Sequence, residues 1–538
     1  MRTAVLLIVC LAAQASPQSS AGTGTVPQVG SVRDEYERLM QLTGVMPLAS
    51  LMLRPGDHPV NFQPPDSAQW RSPWASRLRA PDSARIELFA PELRSTYNSA
   101  VPYGTNDGAM WAGRGVSALA TLGARARVGP LDLQVAPEVT WSKNNWFALA
   151  PLVNAPANAS PYADPVLSRR IDLPQRFGEH AFARGRAGQS HALLTLGALK
   201  AGVATENMWW GPGVDNSLLM TNNAPGFTHT VLGTSRPVNV RVGRLELLHT
   251  LGWLKQSSYW RALPDTTATD RWLNALSIVF EPAGARGLYL GATRMYYAYQ
   301  RYNPITLREI ASTIVQTPAK HSLVTETDTT GNDIRDQMFA AWWRWVHPGI
   351  GLELYGEWGR NDHGIDTHDY LVDLFHSRAY LLGGRKVRRV GDGLLSARLE
   401  WTVLDRTRSE ELRATPYWYA HHLVRQGYTN EGQTIGAGIG PSGDEQTLAV
   451  DWYAGFGSVG LVLQRHQVNS DQLYVGYLSP NTGYAHDIFA GAGPRGTMTV
   501  RGVDISASLL LQREFDRYHV ERNDVGNVHF DLRAVYAR

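Results

Sequence analysis

The chain has a single cysteine, Cys10, in 538 residues. That excludes a disulfide framework and any cysteine-built metal site. No run of about 20 apolar residues occurs beyond the extreme N-terminus, so a transmembrane helix is not expected. Lysine is scarce, arginine supplies most of the positive charge, and the formal net charge is only +3. Neither sign runs in a block, which excludes the basic stripe of a nucleic-acid binder. No Gly-x-Ser-x-Gly elbow, phosphate-binding loop or dinucleotide fingerprint stands between a strand and a helix.

What is present begins at the first residue. Met1-Arg2-Thr3 leads into an apolar run from Ala4 to Ala13, and Ala13-Gln14-Ala15 offers a small-x-small cleavage site. Residues 1–15 therefore read as a signal peptide, and Cys10 leaves with it. A long exported chain without disulfides needs another source of stability. A closed β-barrel in a bilayer supplies one, because every backbone group is paired within it. The composition fits: 17 Trp, 22 Tyr, 13 Phe and 51 Gly. The mean hydropathy, -0.25, fits too, since in such a barrel only alternate residues face lipid.

Residues 16–83 read as a short periplasmic segment with one helix, over about 31–46. Ser31 caps it, acids occupy its first turn, and Val32, Tyr36, Leu39 and Met40 share a face. Residues 47–80 are rich in Pro, Ser and Arg and read as irregular.

From about Ala84 the period becomes two. Val116, Ala118, Ala120 and Leu122 alternate with a set containing Ser117, Thr121 and Arg125. Leu352, Leu354 and Trp358 alternate with Glu353, Tyr355 and Glu357. Leu395, Ala397, Leu399 and Trp401 alternate with Ser396, Arg398 and Glu400. Such runs match a tilted strand crossing a bilayer. One face is apolar and the other carries charges of both signs, as lipid outside and a wet lumen inside require. The last strand repeats the pattern, with Val528, Phe530, Leu532, Ala534 and Tyr536 against Asn527, His529, Asp531 and Arg533; Ala537-Arg538 follow the last aromatic. The expected fold is all-β: a large closed antiparallel transmembrane barrel over residues 84–538. Long polar segments, Ala148–Asp172, Arg301–Arg335 and Arg413–Gly443, are expected as loops on one side.

Two groups of residues invite a chemical reading. Asp362, His363, Asp366, His368 and Asp369 carry metal-ligating side chains, but their spacing fits no zinc or EF-hand template, and a solvated loop is the simpler reading. His421-His422 is treated likewise, so neither a metal nor another cofactor is expected. Glu353 and Glu357 could suggest a glycosidase pair. Four positions along a strand put them roughly 13 Å apart, too far for that chemistry; a lumen charge network is expected instead, and no enzyme.

The most specific stretch reads Ile171-Asp172-Leu173-Pro174-Gln175-Arg176-Phe177-Gly178, then Gly188-Gln189-Ser190. It continues Thr205-Glu206-Asn207-Met208-Trp209-Trp210-Gly211-Pro212-Gly213 and closes on Asn222-Asn223-Ala224-Pro225-Gly226-Phe227. Asn106-Asp107-Gly108-Ala109-Met110-Trp111, Gly252-Trp253-Leu254 and Tyr355-Gly356-Glu357-Trp358 accompany it. Together these resemble the capsule assembly Wzi family over most of residues 84–400. The resemblance implies an eighteen-strand outer-membrane barrel with helical elements on its periplasmic side. It also implies a lectin-like, non-catalytic anchor for exported capsular or extracellular polysaccharide. The implied partners are that polysaccharide and outer-membrane lipid, with the protein as a monomer. The candidate signature or sugar-binding residues are Trp209, Trp210, Asp215, Asn216, Asn222, Asn223, Asn106, Asp107 and Trp111. They bring aromatic faces and planar polar groups together, as sugar recognition needs. They equally suit a structural role, with Gly-Pro-Gly fixing a turn and the asparagines satisfying backbone groups. The alternative function is a porin-like channel for small solutes.

Overall fold

The computed structural model describes residues 23, 24, 26, 28–55, 86–261, 270–315, 335–361, 371–407, 409, 413, 415–474 and 485–536. The leader expected at 1–15 and the Asp362–Asp369 cluster lie outside the described residues.

Eighteen strands close the barrel. They are β1 (Ile86–Asn98), β2 (Gly115–Val128), β3 (Leu131–Val135 and Glu138–Ser142), β4 (Phe182–Arg186 and His191–Leu196), β5 (Leu199–Ala204) and β6 (His229–Thr234 and Val238–Val240). There follow β7 (Gly243–Leu254), β8 (Arg271–Pro282), β9 (Leu288–Tyr299), β10 (Arg335–His347), β11 (Leu352–Asn361) and β12 (Arg378–Val390). The last six are β13 (Gly393–Val403), β14 (Asp444–Ala454), β15 (Gly457–Gln467), β16 (Ile488–Val500), β17 (Val503–Phe515) and β18 (Val525–Tyr536). Neighbours in sequence pair antiparallel, and β18 returns to β1 with His529 opposite Asn98 and Val535 opposite Glu92. Closure leaves no sheet edge, which is what a bilayer demands.

The two-residue period sorts the side chains. Leu93, Val116, Leu122, Val139, Leu382, Leu399 and Trp401 are exposed on the outer wall, whereas Ser117, Thr121, Glu353, Glu357, Arg398 and Glu400 are buried inside it. Turns at one rim are short: 129–130, 197–198, 391–392 and 501–502 join consecutive strands. The connections at the other rim are long, and the described parts of the three loops foreseen in the sequence all lie there.

The N-terminal helix α1 (Val32–Leu42) sits in the lumen at the short-turn rim. Ser31 Oγ accepts from Asp34 N at 3.2 Å and caps it. Tyr36, Leu39 and Met40 pack on Val346, Val387, Leu394 and Tyr453 of the wall. The helix stops at Leu42, short of the expected 46, because Gly44 adopts a left-handed conformation (φ 72°) and turns the chain back. A second helix, α2 (Leu307–Val315), lies in the segment expected to be only a loop. Among the described residues no helix is long and apolar enough to cross a membrane.

Candidate functional site: the plugged lumen and its inward loop

Two segments fill the barrel. The first is α1 with the chain that follows it. Arg38 on α1 donates to Glu353 on β11 and to the Pro212 carbonyl at 2.6 Å. Arg344 on β10 donates to the same Glu353 (2.6 Å) and to the Ala49 carbonyl (2.6 Å). Glu35 meets Arg385 on β12 at 2.7 Å. Burial raises the Glu35 carboxyl, but the Arg385 charge and hydrogen bond, helped by Arg398 and Arg495, outweigh it and hold the group at about 2. The helix is thus fixed by ion pairs to the wall that a buried charge requires.

The second is the signature loop, residues 205–228, which leaves β5 and dips inward before β6. Its Trp209–Trp210 pair forms a two-stranded ribbon with Leu53–Arg54 of the N-terminal segment. Two glycines explain the Gly-Pro-Gly element. At Gly211 (φ 121°) a Cβ would stand 2.2 Å from Glu357 Oε1, and at Gly213 one would stand 1.9 Å from the Asn216 carbonyl. No other residue fits such close approaches.

Three wall carboxylates grip this loop, two of them by its backbone. Glu400 on β13 accepts from Val214 N, Asp215 N and Asn216 N at 2.8–2.9 Å. Glu357 on β11 accepts from Leu218 N (2.9 Å) and Ser217 Oγ (3.1 Å). Glu445 on β14 accepts from Asn216 Nδ2 at 2.8 Å. The long loop between β13 and β14 closes over the top: Tyr419 and Tyr428 hydroxyls donate to the Leu218 and Leu219 carbonyls, each at 2.7 Å.

Most of the candidate residues meet here. Trp210 is fully buried, and Trp209 is 2 % exposed with the Arg54 guanidinium 4.9 Å from its ring. Asp215 pairs with Arg398. Asn106 (φ 59°) donates to the Asp215 carbonyl at 2.6 Å, and Asn223 Nδ2 donates to Thr434 Oγ1 at 2.8 Å. The Asn222 carbonyl accepts from Gly108 N at 2.7 Å. Asp107 lies beside Arg94 on β1, at 3.3 Å. Burial pushes its carboxyl up to about 7 despite that cation, with Asp531 adding to the rise. Trp111 stands apart: from the loop between β1 and β2 it donates to Asn144 Oδ1 at 3.3 Å and packs on Phe177, both partners lying in the loop between β3 and β4.

The sequence pattern put Glu357, Arg398 and Glu400 on the lumen face but gave no sign of what they hold. Arg38, Arg94 and Glu445 went unremarked, because their partners are distant in sequence and only barrel closure brings them together.

Against β14–β18 the plug fits less tightly. Cavities of about 330 and 260 Å³ lie there, bordered by Trp209, Arg94 and Asp531; Asp107 and Asn222 border the smaller one and Arg495 the larger. Small residues on the wall, Ser506 and Ser508, leave this space. Among the described residues no group of three or more acidic, His or Cys side chains is arranged to hold a metal.

An apolar belt outside and a self-filled polar lumen inside define a plugged transmembrane β-barrel. The chain belongs to the capsule assembly protein Wzi family, whose model matches residues 93–510. Its fold is that of Escherichia coli Wzi, described as an outer-membrane, carbohydrate-binding β-barrel involved in group 1 capsule assembly. The two share 14% identity with a TM-score of 0.62, over 96% of this chain and 99% of the other. Pseudomonas aeruginosa OpdL (9% identity, TM-score 0.38, 84% and 98% covered) and a Rhodopseudomonas blastica porin (10%, 0.32, 84% and 100%) are more distant. Comparison with curated protein sequences finds no match.

Proposed function

We propose that this protein holds exported polysaccharide at the surface of the outer membrane, as a monomeric barrel that binds without catalysing a reaction. The observation that carries the reading is the internal grip on the signature loop. Three wall carboxylates fix residues 213–218, and that loop in turn supports the surface loops through Tyr419, Tyr428 and Thr221. A pre-organised loop platform lowers the entropy lost on binding a flexible polymer. In this account Trp209, Trp210, Asn216 and Asn222 form the frame, and sugar contacts lie above it on the loops at the long-loop rim. Residues 1–15 are the removed leader, and the plug end faces the periplasm. The channel alternative fits less well, because α1 and the inward loop occupy the bore and leave separate cavities. The test is binding of the host's purified capsular or extracellular polysaccharide to the purified barrel. Saturable binding supports the proposal, and none, with every surface glycan of the host, would rule it out.

A further inference from the structure

The outer wall is apolar over β9–β13, where Leu290, Trp343, Leu382 and Trp401 are exposed. One row breaks the pattern. Arg294 on β9 stands opposite Phe339 on β10, Phe339 opposite Arg360 on β11, and Arg360 opposite Arg378 on β12. Cross-strand partners project from one face. The residues next to them, Met295, Ala340 and Ala379, belong to the luminal core, so the row faces outward. Three arginines thus stand in a row across the strands, spanning roughly 14 Å, three interstrand spacings, with the middle one, Arg360, covered to 1 % exposure. Arg360 and Arg378 sit at the long-loop ends of their strands, the level of lipid headgroups.

Like charges directly opposite each other repel, and arginine on a lipid face is costly. Arg294 donates to a neutral partner, Gln337 Oε1, at 3.3 Å. Buried Arg378 Nη1 has no hydrogen-bond partner among the described residues, although Asp405 is near enough to feel its charge. Two surface segments add apolar area around the row. Helix α2 folds back over the outside of the barrel, where Asn274 Nδ2 donates to the Glu309 carbonyl at 2.7 Å, and its Leu307 and Ile314 point away, 86% and 69% exposed. Beyond β11, Leu371, Val372 and Phe375 are also exposed. Arg360 there reaches the Asp373 carbonyl at 3.4 Å.

We propose that this outer face binds a phosphorylated lipid of the outer leaflet. Arg294 and Arg378, on either side of the buried Arg360, take the phosphates, which suit the planar fork of guanidinium. The acyl chains run down the belt past Leu290 and Trp343, continuous with the bilayer contact. The proposal is independent of polysaccharide binding.

The test is native mass spectrometry of the full barrel released from neutral detergent, titrated with bisphosphorylated lipid A, its dephosphorylated form and inorganic phosphate. R294Q/R378Q is compared with R388Q, which changes an exposed arginine of β12 near the opposite rim. Folding of each variant is checked by heat-modifiable gel mobility. The proposal expects a lipid A adduct on wild type and R388Q, weakened at least tenfold in R294Q/R378Q and by dephosphorylation. Equal retention by the double variant, equal retention of the dephosphorylated lipid, or phosphate binding as tight as lipid binding would each overturn it. So would a lipid-independent dimer that the double variant dissolves.

Discussion

Arg38 in the lumen helix and Glu353 on the barrel wall meet through the guanidinium Nε, 2.9 and 3.0 Å from the two carboxylate oxygens, and neither side chain is more than 3 % exposed. Arg344 shares the same carboxylate. One wall residue therefore anchors both the plug and the strand beside it. Removing one partner of a buried pair costs about 3–5 kcal/mol, because the other charge is left uncompensated. Glu353→Ala strands two arginines, whereas Arg38→Ala leaves Glu353 paired with Arg344. The alanine variant at 353 is expected to unfold at lower denaturant concentration than that at 38, measured by loss of the folded gel mobility. Equal midpoints would contradict the shared anchor.

Glu400 is expected to control the signature loop. Its loss in Glu400→Ala leaves Val214, Asp215 and Asn216 N–H groups without their acceptor, at about 1–3 kcal/mol for each one left unsatisfied. Amide hydrogen exchange over residues 213–218 should quicken by tenfold or more, while exchange in the β16–β18 wall stays unchanged. Protection that persists across the loop would show that Glu357 and Glu445 suffice.

Asp107 gives a pH dependence of defined sign. Its folded carboxyl titrates at about 7, above its ordinary value of 3.8. The stabilisation it gives is complete below the unfolded value and is lost as pH rises through about 7. Asp107→Asn keeps the shape without the ionisation. The variant is expected to match wild type near pH 4 and to exceed it in stability above pH 7. Parallel stability curves across that range would contradict the assignment.

The filled bore makes a prediction about conductance. Full-length protein in a planar bilayer should stay closed or nearly so at moderate voltage, in contrast to an open porin of similar strand number. Steady, large single-channel steps would show that the plug leaves a continuous path and would favour the channel reading.

Much of the fold was legible in the sequence for one physical reason. A lipid-facing wall must alternate, so Leu352 to Trp358 and Leu395 to Trp401 declare their two faces without any knowledge of neighbours. The helix after Ser31 was readable from its cap and its apolar stripe, though its end at Leu42 depended on the Gly44 turn. The signature loop was recognisable as a motif, yet its role was not. Trp209 and Asn216 look like sugar-binding groups in one dimension, and only Arg54, Glu400 and Glu445, brought in by closure, show that they are held inside. Helix α2 was missed because its sequence, Leu-Arg-Glu-Ile-Ala-Ser-Thr-Ile-Val, lacks strong helix formers at its end and packs on outward residues of β7–β9 that alternation alone would assign to lipid.

The most direct measurement is the ratio of cell-bound to released polysaccharide in the host, with and without this gene. The account predicts that deletion releases polymer into the medium, that the wild-type gene restores retention, and that Trp209→Ala/Trp210→Ala restores it poorly because the loop frame is lost. Retention unchanged by deletion would contradict the anchoring role while leaving the barrel and its plug as described.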